Sequence, residues 1–168
     1  MKSFYFLRHG ETDFNLQHIA MGSKDIPLNN RGLSQAINAG EALKNETIGT
    51  IVTSPLMRAR KTADIIAEYV KAPIIELSEL KEASWGVKEG MPKGRGEWMQ
   101  DWRDGLEIEN AESYVEFVNR VKVGLEKALE EKGPVLVISH GGVYWGLQEF
   151  LGLPLYDLGN CEVVFHSF

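Results

Sequence analysis

FYFLRHG, residues 4–10, runs four aromatic or aliphatic residues into Arg8 and His9 and then into a glycine. An apolar run of this length closed by a chain-breaking residue reads as a buried strand. A cation and an imidazole at its end turn attention to what lies beyond its carboxyl terminus. Two later stretches repeat the form: IVTSPLMR (51–58) runs to Arg58, and VLVISHGG (135–142) runs to His140 and two glycines.

Between these runs the apolar spacing becomes helical. Leu33, Ala36, Ile37, Gly40 and Leu43 share one face of a helix over 30–43, with Asn29 or Asn30 as its N-cap. Leu56, Ala59, Ala63, Ile66 and Ala67 mark a second helix, and Tyr114, Phe117, Val121, Leu125 and Ala128 a long third one. A helix over 143–151 follows the SHGG glycines, short strands are expected at 73–77 and in NCEVVFHSF, and 85–105 reads as irregular. Strands alternating with helices predict an α/β layer structure with a mostly parallel sheet. At 168 residues the chain has the size of one domain, expected to span 1–168.

Ligands of such sheets bind outside the carboxyl ends of the strands. If the three strands are parallel neighbours, Arg8, His9, Arg58 and His140 meet in one crevice. Arginine forks suit phosphate oxygens, and Gly10 and Gly141 would let backbone N–H groups approach the same anion. The expected ligand is a phosphoryl group. His18 and His166 sit in no such context and take a structural reading, and no His/Asp/Glu set has the local spacing of a metal-ligand pair.

The net charge of −6 disfavours a nucleic-acid binder but not a locally cationic pocket. The N-terminal apolar run is too short for a secretory signal and no segment is long enough to span a bilayer, so a cytoplasmic protein without a membrane partner is expected. The single cysteine, Cys161, excludes an internal disulfide and reads as a small buried residue.

Several blocks together resemble the histidine phosphatase superfamily, the phosphoglycerate mutase-like proteins: RHGET (8–12) with Asn15, DIPLNNRGLSQA (25–36), SPLMRARKTA (54–63), LKEASWGVKEG (80–90) and SHGG (139–142). The resemblance follows the family's order over nearly the whole chain. It implies a three-layer sandwich with a mostly parallel central sheet flanked by helices. It also implies a phosphomonoesterase working through a phosphohistidine on His9, with Arg8, Arg58 and His140 holding the phosphoryl oxygens. Asn15, Gly22 and Gly141 would contact the substrate. The family's acid falls on Glu82, with Glu79 and Glu89 as close competitors. No cofactor and no metal are expected, because arginines supply the positive charge.

Hydrolysis is expected over the alternative of mutase-type transfer. The chain is short after Gly90, stops soon after its last strand, and has Met21 where mutases commonly carry a small hydroxyl residue. A non-catalytic phospho-ligand binder is the other alternative, disfavoured by the presence of His9 and all three basic partners. The small phosphomonoester itself is left open, as is any contact from Trp85, Trp98, Trp102, Lys93, Arg95 or Arg103.

Overall fold

The computed structural model describes residues 2–168. Its sheet holds five strands: β1 (Phe4–Arg8), β2 (Thr50–Thr53), β3 (Ile74–Glu76), β4 (Val135–Ser139) and β5 (Val163–His166), in the order β3-β2-β4-β1-β5. The β2–β3, β2–β4 and β1–β4 pairs are parallel, and only the edge strand β5 runs antiparallel, on β1. The three strands that end in basic residues are therefore neighbours, with Arg8 opposite Ser139 and Thr53 opposite Ile138 in the ladders.

Alternation along the strands builds two cores. Phe4 and Phe6 of β1, Val52 of β2 and Val135 and Val137 of β4 face one side, while Leu7, Ile51, Leu136 and Ile138 face the other. Successive side chains of a strand point to opposite faces, so a sheet apolar on both needs a helical layer on each. Helices α2 (Asn30–Leu43) and α3 (Met57–Val70) cover the second face through Leu43, Ala63 and Ile66. Helices α5 (Tyr114–Ala128) and α6 (Gly141–Leu151) cover the first through Phe117, Val121, Leu125, Val143, Tyr144 and Leu147. The result is the three-layer α/β sandwich implied by the sequence.

Local sequence sets the helix ends. The Asn29 side chain accepts the Gly32 N–H at the start of α2, and Ser113 with Glu116 forms a capping box at the start of α5. Two helices lie outside the periodicity reading. A single turn, α1 (Asp13–Leu16), is started by a Thr12–Asn15 capping box, and α4 (Glu97–Arg103) falls inside the stretch read as irregular. The α4 turn forms because Trp102 buries fully against Tyr114 and Phe117, a tertiary contact that no local period announces. Helix α6 starts at Gly141, two residues before the position expected.

Candidate active site

At the carboxyl ends of β1 and β4 lies a cavity of about 220 Å³, lined by Arg8, His9, Asn15, Gly22, Arg58 and Glu82 together with Gly141, and closed by residues from later loops and from α4 and α6. His9 directly follows β1, and its backbone N–H donates to Ser139 O at 2.9 Å, fixing it to the end of β4. Its ring Nδ1 lies 2.7 Å from the Gly10 carbonyl. A carbonyl only accepts, so Nδ1 carries the proton and Nε2 keeps its lone pair. Arg58 Nε donates to that Nε2 at 3.3 Å. Burial, then Arg58, then Arg8 hold His9 well below the usual histidine range, so the ring is neutral near pH 7.

Arg58 sits near the start of α3 with no exposed surface. Its Nη1 and Nη2 donate to Lys24 O at 2.7 Å and Gly22 O at 2.8 Å. Burial pushes its guanidinium down to about 10, which leaves it charged at neutral pH. Arg8 donates from Nη1 to Leu158 O at 2.5 Å, while its buried Nε has no partner. His140 stands edge-on to His9, ring centroids 5.2 Å apart. Its Nε2 is 2.8 Å from Ser54 Oγ, its buried Nδ1 has no partner, and burial followed by Arg58 lowers its pKa well below normal. It is fully buried behind the cavity rather than in the lining.

Glu82 is 8% exposed and anchored at the start of α6, where its Oε2 accepts the Gly142 N–H at 3.1 Å and its Oε1 accepts the Ala83 N–H at 3.0 Å. Asn15 faces the cavity with its Oδ1 used by Thr12 and, at 3.4 Å, by Asn160 Nδ2. Of the other two acids, Glu79 pairs with Lys127. Glu89 clasps two cavity walls, accepting from Ser23 N at 2.7 Å and Trp85 N at 3.0 Å.

The structure corrects the expectation for Gly10. Its N–H donates to Thr62 Oγ1 at 3.1 Å and is not offered to an anion. A Cβ there would lie 2.6 Å from Gly32 O, so the residue is small to let the chain pass the first turn of α2. The tryptophans and cations divide. Trp85 and Lys93 line the cavity, Trp98 packs edge-on behind Trp85, and Trp102 belongs to the core. Arg103 lies over the Trp145 ring, and Arg95 is outside the lining. Ser54, Met99, Trp145, Asp157 and Leu158 were not singled out in the sequence. Met99 and Trp145 lie on helices, where they read as packing, and Asp157 and Leu158 lie in LPLYDLGN, which carries no motif. Cys161 is half-buried against the second core, and burial pushes its thiol up to about 12. His166 stacks on Phe4.

Fold and crevice together define an α/β protein with a cavity lined by arginines and a histidine at the carboxyl ends of its parallel strands. The histidine phosphatase superfamily (branch 1) profile matches residues 4–167, and the chain belongs to that superfamily. A relative from Bacillus subtilis (strain 168), named an uncharacterized phosphatase PhoE, is 40% identical over 149 residues, 88% of this chain and 76% of its own. A Proteus mirabilis (strain HI4320) protein named probable phosphoglycerate mutase GpmB is 34% identical over 97% of this chain and 83% of its own. A mycobacterial glucosyl-3-phosphoglycerate phosphatase, solved as a complex with VO3, superposes with a TM-score of 0.87 at 25% identity, covering 99% of this chain and 93% of that one. The family makes the chain a phosphatase or mutase enzyme. No helix among the described residues is long and apolar enough to cross a membrane.

Proposed function

We propose that residues 1–168 form one catalytic domain that hydrolyses a small phosphomonoester through a phosphohistidine on His9. One observation carries the reading. His9 is a neutral imidazole whose tautomer is set by Gly10, so that its unprotonated nitrogen lies against the Arg58 guanidinium in a cationic cavity. Neutral imidazole is a competent nucleophile at pH 7, and covalent catalysis divides one displacement into two.

Arg8 and Arg58 hold the phosphoryl oxygens and neutralise charge in the in-line transition state. Where the Ser54 hydroxyl donates to Nε2, the His140 proton is on Nδ1, and the ring, edge-on to His9, donates it to the same group once that group is bound. Asn15 Nδ2, Gly22 and Gly141 complete the cradle. Glu82 protonates the departing oxygen and then, as carboxylate, draws the proton from the water that attacks phosphohistidine. The N–H groups that reach its oxygens hold it at the cavity wall without filling all its acceptor sites. The arginines supply the positive charge for these steps, so the reaction runs without a divalent ion.

Hydrolysis of p-nitrophenyl phosphate in EDTA, wild type beside His9→Ala, tests the reading. Turnover lost in the variant supports it. Turnover that needs an added divalent ion, or that survives in His9→Ala, would overturn it. Phosphoryl transfer to added phosphoglycerate in place of water would favour the mutase reading instead, and tight vanadate binding without phosphohistidine would mark a binder. Glu82→Gln separates the acid role: alkyl esters slow sharply while nitrophenyl phosphate is nearly spared, and equal losses on both would remove Glu82 from that role.

A further inference from the structure

The turn that leads into β5 reaches back to the end of β1. Gly159 O accepts the Glu162 N–H at 3.1 Å, closing a turn in which Cys161 stands in the left-handed region at φ 56°. A non-glycine residue is uncommon there. This one is held: its N–H donates to Arg8 O at 2.8 Å, and Glu162 O accepts the Arg8 N–H at 3.3 Å. The turn is thereby fastened to the last residue of β1, and it directs the Asn160 side chain at the residue that follows, His9.

We propose that Asn160, with Thr62 facing it across one peptide, is a positioning residue that aims His9 for attack on phosphorus, a role that rests on the phosphohistidine reading above.

Asn160 Nδ2 donates to His9 O at 2.9 Å and lies 3.4 Å from Asn15 Oδ1. The Thr12 N–H reaches that same Asn15 atom at 3.1 Å, which identifies it as the amide oxygen. Both atoms facing Asn160 are therefore acceptors, and only the nitrogen end of its amide can satisfy them. At the other end of the His9–Gly10 peptide, the Gly10 N–H donates to the fully buried Thr62 Oγ1 at 3.1 Å, and that hydroxyl donates onward to Arg58 O at 2.7 Å. One peptide is thus gripped at its oxygen by the turn before β5 and at its nitrogen by α3.

The strand does not supply this hold. Strand β1 ends at Arg8, and no backbone N–H among the described residues reaches His9 O. Gly10 has no side chain to restrict its φ, so the orientation of the peptide before it depends on what the two ends bond. The next carbonyl along, Gly10 O, is the one that takes the His9 Nδ1–H at 2.7 Å. A rotated peptide carries that carbonyl away, and the ring loses the contact that aims Nε2. The arginines are anchored elsewhere, Arg8 on Leu158 O and Arg58 on Lys24 O and Gly22 O. Loss of the grip therefore impairs attack and spares anion binding.

The test compares wild type with Asn160→Ala and with Thr62→Val, which keeps the shape and loses the hydroxyl. Asn160 is half-buried in a turn, so its alanine variant is expected to fold. The readouts are the quenched-flow rate of phosphohistidine formation from p-nitrophenyl phosphate, the Kd for inorganic phosphate, and the proton resonance of the His9 Nδ1–H, assigned by its loss in His9→Ala. Each variant is expected to form phosphohistidine about tenfold or more slower and to hold phosphate within about threefold of wild type. Its Nδ1–H resonance should move upfield or broaden by exchange with water. An unmoved rate or an unmoved resonance in either variant, whatever the melting temperature, would overturn the proposal and leave Asn160 as the partner of a buried carbonyl. Equal losses in rate and phosphate affinity would also overturn it, placing the defect in the phosphoryl cradle. If wild type forms no phosphohistidine, the nucleophile reading fails, and the Nδ1–H resonance still decides whether Asn160 and Thr62 set the ring.

Discussion

Arg58 Nε reaches His9 Nε2 at 3.3 Å while the same guanidinium holds Lys24 O and Gly22 O at 2.7 and 2.8 Å. One buried side chain thus fixes both the reactive nitrogen and the loop that walls the cavity. The planar fork does this with three nitrogens in one rigid group.

Lysine keeps the charge and loses that geometry. Arg58→Lys is expected to lower kcat by about 100-fold or more, as loss of a preorganised transition-state donor does. Quenched-flow trapping of phosphohistidine should show its formation slowed. Near-normal phosphohistidine formation would show that charge alone suffices.

Gly142 and Glu82 give a second test. A Cβ at Gly142 would lie 2.3 Å from Glu82 Oε1, and that carboxylate is the movable partner. Gly142→Ala is therefore expected to fold normally and to displace Glu82. If Glu82 is the acid, kcat on alkyl phosphates falls by about tenfold or more, while nitrophenyl phosphate, with its good leaving group, is hydrolysed almost as before. A parallel loss on both would place the defect in phosphoryl binding.

Gly32 inverts a familiar rule. Alanine in place of a helical glycine ordinarily stabilises, by up to about 1 kcal/mol in a helix interior. Here the Cβ would lie 2.1 Å from the Glu11 backbone carbonyl, and backbone cannot swing aside. Gly32→Ala is expected to destabilise by about 1–3 kcal/mol, as overpacking does. Urea unfolding of wild type and variant measures it, and a gain would show that α2 can shift away from the 10–12 segment.

How much of this was legible in sequence follows from where each contact is made. Strand ends, glycines and the Asn29 cap are local, so the parallel core and the meeting of Arg8, His9 and Arg58 at one cavity were readable from the strand ends, whereas Glu82 followed only from the family resemblance and His140, expected in the same crevice, is buried outside its lining. Helix α4 depends on Trp102 reaching Tyr114 and Phe117, and Asp157 reaches the cavity only because the α6–β5 connection folds back over it. Neither leaves a periodic trace. Gly10 shows the opposite failure: its place in the motif suggested an anion contact, and the constraint is the passing backbone of Gly32.

Acid should destabilise the fold earlier than carboxylate titration explains. His9 and His140 lie well below the ordinary histidine value, and burial lowers His166 as well. Unfolded histidines bind protons near pH 6.5, so below that the unfolded state takes up protons that the native state refuses. Stability is complete above about pH 6.5 and falls as pH drops toward the folded values, by at most about 1.4 kcal/mol per unit for each group. Glu79, lowered by Lys127, adds to the loss only below its unfolded value of 4.5. The melting temperature is expected to fall between pH 7 and 5, less steeply in His140→Asn. A flat profile over that interval would mean that the two buried rings protonate in place.

Ser54 offers the most specific check on His140. Its Oγ accepts the Leu56 N–H at 3.3 Å and lies 2.8 Å from His140 Nε2. If its one hydroxyl proton goes to Nε2, the imidazole proton is on Nδ1, where a phosphoryl oxygen can accept it. Ser54→Ala removes that constraint, frees the ring to adopt the other tautomer and leaves Nε2 buried without a partner, at a cost of about 1–3 kcal/mol. Vanadate affinity should therefore fall by about tenfold or more. Ser54→Thr, which keeps the hydroxyl, should restore most of it. Equal vanadate affinity in wild type and Ser54→Ala would mean that His140 serves His9 by packing alone and does not touch the phosphoryl group.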